Sequence, residues 1–262
     1  MNKPLVSIIL PVYNGMKYIK KTIESLLSQD YENFEIMVID DCSTDGSFEF
    51  IKDLFYGDHP NWNIRILKNI KNLGCIATCN RAIRLSKGEY IFRTDQDTLY
   101  DHNVLTQLME TLQSDKTGAV GCKLLYPDSD MIRAFGLKIN KLLRTEVIGR
   151  GHIDYGQYQE VMEVDGLPGG AMLFRKSLGL FNEDYKLYYS EPEWCLNAKK
   201  KGYKILVNPK AIAIKFGTKE KLGIKKRYYL YKDKIMFIKN QLFKNKETKK
   251  EVIKEWEGYI TQ

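Results

Sequence analysis

The sequence predicts an α/β protein: a doubly wound, mostly parallel sheet with helices on both faces, followed by a C-terminal helical appendage. Three observations predict it. Short apolar runs alternate with segments of helical spacing over the first hundred residues. The runs are nearly continuous, as in strands buried on both faces of a parallel sheet, rather than alternating with polar residues. Two of them end in closely spaced carboxylates, at the edge where open α/β sheets bind their ligands.

Residues 5–10 form the first apolar run, closed by Pro11. Ile19, Ile23, Leu26 and Leu27 then place a helix over 18–28. A second buried strand over 34–39 runs into Asp40-Asp41, and the turn Ser43-Thr44-Asp45-Gly46 leads to a helix over 47–55. A short strand over 64–67, a helix over 76–85 and a strand over 90–93 follow, the last running into Asp95-Gln96-Asp97. In the second half the pattern gives a helix over 103–113 and a strand over 119–125, then no strong period from 131 to 159. Strands over 172–174 and 205–207 flank a helix over 193–201, and 225–243 reads as an amphipathic helix of aromatics and aliphatics among lysines.

A chain of 262 residues accommodates one large domain with a short appendage. The formal charge of +8 concentrates between Lys219 and Lys254, which suits nucleic acid, an anionic membrane face or a phosphorylated substrate without choosing among them. Five scattered cysteines without zinc-ribbon spacing read as free thiols of a reducing compartment. No cleavable leader precedes the first strand, and no apolar run approaches the ~20 residues of a membrane span. The expectation is a cytoplasmic protein, at most held peripherally on the inner face of the membrane.

The acidic strand ends carry the chemistry. In an extended D-x-D triplet both carboxylates fall on one side of the chain, a geometry that suits a divalent cation shared with a diphosphate. The same triplet also serves as an ordinary turn or helix cap. Neither a G-x-x-x-x-G-K-S/T loop nor a G-x-G-x-x-G follows the first strand, so a P-loop nucleotidase and a nicotinamide-dependent dehydrogenase lack their phosphate cradle.

These residues resemble family 2 glycosyltransferases. The likeness rests on residues 6–14, ending in Pro11-Val12-Tyr13-Asn14, and on Val38-Ile39-Asp40-Asp41 with Ser43-Thr44-Asp45-Gly46. It continues through Asn72-Leu73-Gly74, Asn80, Gly88-Glu89-Tyr90-Ile91, Asp95-Gln96-Asp97, Gly169-Gly170-Ala171-Met172 and Ser190-Glu191-Pro192-Glu193-Trp194, closing at Gly202-Tyr203-Lys204-Ile205. The ordered series covers residues 4–215, and its second half is most similar to the rhamnosyltransferase-like branch. The resemblance implies a GT-A catalytic domain over 1–216, with a nucleotide-binding half (1–100) and an acceptor half (101–216), and a basic helical appendage over 217–262. It implies inverting transfer of a hexosyl or deoxyhexosyl group from a UDP- or dTDP-linked donor to a saccharide or lipid-linked saccharide, in cell-surface polysaccharide synthesis. Pro11, Val12 and Tyr13 would line the base and ribose pocket, and Asp41 would accept the imide N–H of a pyrimidine. Asp97, with Asp95 nearer the ribose, would hold Mg²⁺ or Mn²⁺, and Glu191 would be the catalytic base.

Two departures from the family pattern stand out. The family's Glu-Asp-x-Asp is Ser190-Glu191-Pro192-Glu193 here, which makes Glu193 a rival base and leaves helix capping as the plain alternative for both acids. The histidine that commonly completes the metal site is missing from Ala213-Ile214-Lys215-Phe216-Gly217, where Lys215 is a candidate diphosphate contact or a solvated lysine. Tyr185, Tyr188, Tyr189 and Trp194 surround the expected base, either as a platform for an acceptor sugar or as a buried cluster. A nucleotidyltransferase, a nucleic-acid-binding module and a catalytically inactive relative remain the competing classes. The first lacks its basic Gly-rich loop, and the second leaves the strand-end acids unexplained.

Overall fold

The computed structural model describes residues 3–57, 63–217 and 224–244. In chain order the elements are β1 (Val6–Val12), α1 (Ile19–Leu27), β2 (Phe34–Asp40), α2 (Ser47–Gly57), β3 (Ile64–Lys68), α3 (Cys75–Leu85), β4 (Tyr90–Thr94) and β5 (Thr98–Tyr100). There follow α4 (Val104–Leu112), β6 (Thr117–Leu125), β7 (Ile132–Ala134), β8 (Leu137–Ile139), β9 (Thr145–Val147), β10 (Met162–Glu163), β11 (Ala171–Arg175), α5 (Ser190–Lys200), β12 (Lys204–Lys215) and α6 (Ile224–Lys244).

The main sheet runs β10-β12-β6-β11-β4-β1-β2-β3, with β5 on β12 and β7 on β6. β3, β2, β1 and β4 are mutually parallel; β11 enters antiparallel between β4 and β6, and β12 lies parallel to β6. The alternation of β1 explains the two covered faces. Val6, Ile8, Leu10 and Val12 point to one side, against Ile19, Ile23 and Leu26 of α1, Phe55 of α2 and Leu105 and Leu108 of α4. Ile9, with Met37 and Ile39 of β2, points to the other, against Ile76, Cys79 and Ile83 of α3 and the core that Trp194 and Cys195 of α5 complete. The expected α/β fold, doubly wound and with helices on both faces, is present.

Two elements differ from the sequence reading. The strand expected over 205–207 is a twelve-residue strand that continues to Lys215. Pro209 has no ladder N–H, and the register slips between Asn208 and Ile212, but the strand resumes and pairs Lys215 with Thr98 of β5. The segment without period, 131–159, folds as the short strands β7, β8 and β9 around tight turns. On α6, Asp233, Phe237 and Gln241 recur every four residues and are buried, so this face packs on the body of the protein while Tyr228, Tyr231 and Ile235 are exposed. The N-terminal part of the basic run and residues 245–262 lie outside the described residues.

Candidate active site

The C-terminal edge of the parallel strands brings the two acidic ends together. At the end of β2, Asp41 is 3% exposed and accepts from the Asn69 side-chain amide (2.7 Å) and from the backbone N–H groups of Leu73 (2.8 Å) and Gly74 (2.9 Å). Gly74 caps α3 with φ +89°, a conformation open to glycine and costly for other residues. Asp40 is fully buried and accepts from the Ser43 N–H at 2.9 Å. Tyr13 is half exposed beside this end, whereas the side chain of Val12 lies in the core, so Val12 reaches the cleft only through its backbone. Gln96, the middle residue of the D-x-D, holds the Tyr13 peptide from both sides, accepting from its N–H at 2.8 Å and donating to its carbonyl at 3.0 Å.

At the end of β4 the acids meet cations. The Lys215 ammonium donates to Asp95 Oδ2 at 2.7 Å and to Asp97 Oδ1 at 2.6 Å. The pairing of β12 with β5 places Lys215 directly opposite Thr98, and Phe216 N–H donates to the Asp97 carbonyl at 2.8 Å. Arg93, buried in β4, reaches Asp95 Oδ1 at 3.5 Å and Glu191 Oε1 at 2.9 Å. Burial disfavours the charge on Asp95, but Lys215 and then Arg93 outweigh it and hold its carboxyl down to about 2. Burial likewise opposes the charge on Lys215, and Asp95 and Asp97 overcome it, holding the ammonium above the ordinary lysine range. Arg93 stays a fixed cation for the same reason: burial opposes its charge, while Cys79, Glu191 and Asp95 outweigh that effect. Sequence reasoning missed Arg93. Its signal was a lone arginine closing an otherwise apolar strand, since arginine is seldom buried without a partner.

Glu191 lies in the first turn of α5 and is 7% exposed, bound to Arg93 through one oxygen. Glu193, the rival, is turned away: it accepts from Asn182 at 3.0 Å and lies against Tyr185. The aromatic platform is only partly present. Trp194, expected against an acceptor, is instead 5% exposed, packs edge-on against Phe174 at 4.8 Å and donates its indole N–H to the Gly179 carbonyl. Position 194 faces the sheet because α5 buries that side, so a sugar cannot stack there. Tyr185 is also core, leaving Tyr188 and Tyr189 half-buried in front of α5. The loop carrying them is held by Asp233 of α6, which accepts from the backbone N–H groups of Lys186, Leu187 and Tyr188 at 2.8–3.2 Å.

The donors at the D-x-D do not fit the expected Mg²⁺ or Mn²⁺. A lysine ammonium stands between the two carboxylates, and among the described residues no three His, Cys, Asp or Glu side chains converge as metal ligands. His102 and His152 are exposed elsewhere, and His59 lies outside the described residues. A cavity of about 440 Å³ at Glu89, Tyr90, Arg175, Lys176 and Ser177 opens at the opposite end of the strands, away from every acid of the site.

Comparison with known proteins gives consistent matches. Residues 7–178 match the family described as Glycosyl transferase family 2. The chain is 33% identical over 127 residues to the Streptococcus pneumoniae glycosyltransferase GlyG, covering 48% of this chain and 41% of that protein. It is 34% identical over 112 residues to the Escherichia coli chondroitin synthase, covering 43% of this chain and 16% of that protein. The matched part is thus less than two thirds of the length of these relatives. Among solved structures, the Pyrobaculum calidifontis mannosyltransferase PcManGT, in complex with GDP-Man and Mn²⁺, superposes with a TM-score of 0.65 at 20% identity. That superposition covers 84% of this chain and 59% of that one, and at this identity it shows a shared fold.

Proposed function

The chain belongs to glycosyl transferase family 2 and has the GT-A fold, and from that premise we propose that it transfers one sugar, with inversion, from a nucleoside diphosphate to an acceptor hydroxyl. The observation that carries this reading is the continuous line Glu191–Arg93–Asp95–Lys215–Asp97 at the ligand-binding edge of the sheet. Tyr13 offers a ring to the base, and Asp41, with three N–H donors already on it, keeps one acceptor position for a pyrimidine imide. UDP and dTDP sugars both present that imide. The acceptor is a saccharide or lipid-linked saccharide of cell-surface polysaccharide synthesis, in keeping with the name of the chondroitin synthase relative. The resemblance of the second half to rhamnosyltransferase-like proteins favours a deoxyhexose.

Glu191 removes the acceptor proton as the hydroxyl oxygen attacks the anomeric carbon from the face opposite the diphosphate. Arg93 takes one carboxylate oxygen of Glu191, which fixes the orientation of the other. The ammonium of Lys215 holds the place between Asp95 and Asp97, and the residues there do not fit a metal. Tyr188 and Tyr189 flank the acceptor, and the exposed Tyr228, Tyr231 and Ile235 of α6, beside Arg227 and Lys232, provide weak attraction to an anionic membrane surface. No helix among the described residues is long and apolar enough to cross a membrane.

A donor panel scored by nucleoside diphosphate release tests the reading, with product anomericity read by NMR. Glu191→Gln should lower turnover by about 10²–10⁴-fold with little change in the affinity for UDP. Near-normal transfer by this variant sinks the assignment of the base. An inactive relative is the second reading, favoured by the Arg93 contact that covers Glu191, and absence of release from every donor would establish it.

A further inference from the structure

We propose that Lys215 stands in place of a divalent cation: its ammonium, fixed between Asp95 and Asp97, meets the donor diphosphate, and transfer proceeds without metal. The inference rests on the glycosyl-transfer reading above and specifies its electrophile. Geometry is the first argument. The ammonium lies 2.7 Å from Asp95 Oδ2 and 2.6 Å from Asp97 Oδ1, the span of a charge-assisted hydrogen bond to each. A magnesium ion shared by the same two oxygens would sit about 2.0–2.1 Å from them, in the space the ammonium fills. The two occupants exclude each other.

Charge is the second argument. Asp95, Asp97 and Glu191 face Lys215, Arg93 and Arg133, whose guanidinium donates to the Lys215 carbonyl at 3.5 Å. Three anions against three cations leave the site neutral, the condition that a divalent ion creates between two aspartates. Adding such an ion here would set two positive charges against three already present.

One donor of the ammonium is left over. An ammonium has three N–H groups, and two are committed to the aspartates. Among the described residues the third has only Thr98 Oγ1, at 3.4 Å, so it is available to a phosphoryl oxygen entering the cleft. In the reaction the bond from the anomeric carbon to the diphosphate oxygen breaks as the bond to the acceptor oxygen forms. The acceptor proton passes to Glu191, and the leaving diphosphate keeps the electron pair. Its new negative charge develops against Lys215, where a preorganised cation is most effective. Backbone pairing through Thr98 and the Phe216 N–H holds the lysine in register, and its side chain is 17% exposed.

The experiment compares three measurements on the full chain: UDP binding by calorimetry in EDTA, Mn²⁺ binding by EPR of the free ion, and turnover of the UDP-, dTDP- and GDP-sugar panel with EDTA or Mn²⁺. The expected result is UDP binding and undiminished turnover in EDTA, with no loss of the free Mn²⁺ signal on adding protein. Lys215→Ala should cut turnover in EDTA by about 10²–10³-fold. Lys215→His should acquire Mn²⁺ binding and turnover that EDTA removes. Turnover of the unaltered protein that EDTA abolishes and Mn²⁺ restores overturns the proposal while leaving glycosyl transfer intact, as does Mn²⁺ binding lost in Asp97→Asn. A protein that neither binds UDP nor turns over any donor, with or without metal, overturns the transfer reading and this one with it.

Discussion

The ends of β2 and β4 both carry closely spaced acids, yet they are neutralised by different means. Asp41 is surrounded by neutral N–H groups, two of them backbone donors at the mouth of α3. Asp95 and Asp97 are met by full cations on long side chains, Lys215 from β12 on both and Arg93 from β4 itself on Asp95. Backbone donors fix direction, so the β2 end is suited to reading a hydrogen-bond pattern. Fixed cations set potential, so the β4 end is suited to charge that grows during a reaction. Asp233 repeats the first device on α6, where one carboxylate gathers three consecutive backbone N–H groups and sets the loop in front of Glu191.

The strongest way to break this contrast is to remove the cation that joins the β4 end to the base. Arg93 is 4% exposed and Glu191 7%, so Arg93→Met strands a buried carboxylate. The expected cost is about 3–5 kcal/mol of stability, measured by denaturant unfolding. Glu191→Gln added to that variant should recover much of the loss, because it removes the stranded charge. Strict additivity of the two changes would mean that the pair is not coupled.

A smaller effect separates the two ends by pH. Asp95 is held down to about 2 in the folded protein, against about 3.9 for a free aspartate. A lowered folded value makes this contribution fully present above about 4, and it is lost as pH falls toward 2. It amounts to about 2–3 kcal/mol at neutral pH. Thermal unfolding of wild type and Asp95→Asn should therefore differ at pH 7 and converge as the medium is acidified below 4. A gap that is constant with pH would show that hydrogen bonds, not charge, account for the role of Asp95.

How far the sequence reveals these ends follows the range of the forces that build them. β1, β2 and β4 and their acids are local patterns, apolar runs ended by carboxylates, and they stand where the pattern puts them. The ammonium between Asp95 and Asp97 depends on a pairing across more than a hundred residues. It also depends on β12 resuming after Pro209, which local propensity reads as a stop. Lys215 was visible as a candidate, but its seat was not. Trp194 shows the converse: its proximity in sequence to Glu191 suggested the cleft, while its indole packs against Phe174 and Phe181 in the core. Arg93 was hidden by its surroundings, since an apolar strand gives no hint of which buried acids will meet its last side chain.

The β2 end yields the smallest change and the most specific one. Asp41→Asn keeps the shape and one acceptor oxygen, which can still serve Asn69 and Leu73. Its new NH₂ group then faces the Gly74 N–H, donor against donor, where the carboxylate accepted at 2.9 Å. Leaving that N–H unpaired should cost about 1–3 kcal/mol of stability. Because the partners of Asp41 in the structure are neutral N–H groups, this cost should be nearly the same in low and high salt, unlike that of Asp95→Asn. The amide also presents a donor to the imide N–H of a pyrimidine, so the KM for a UDP-sugar should rise more than kcat falls. A turnover loss without a KM change would move Asp41 from base recognition to the scaffold of α3, and would confine ligand reading to the loop that Gln96 pins through Tyr13.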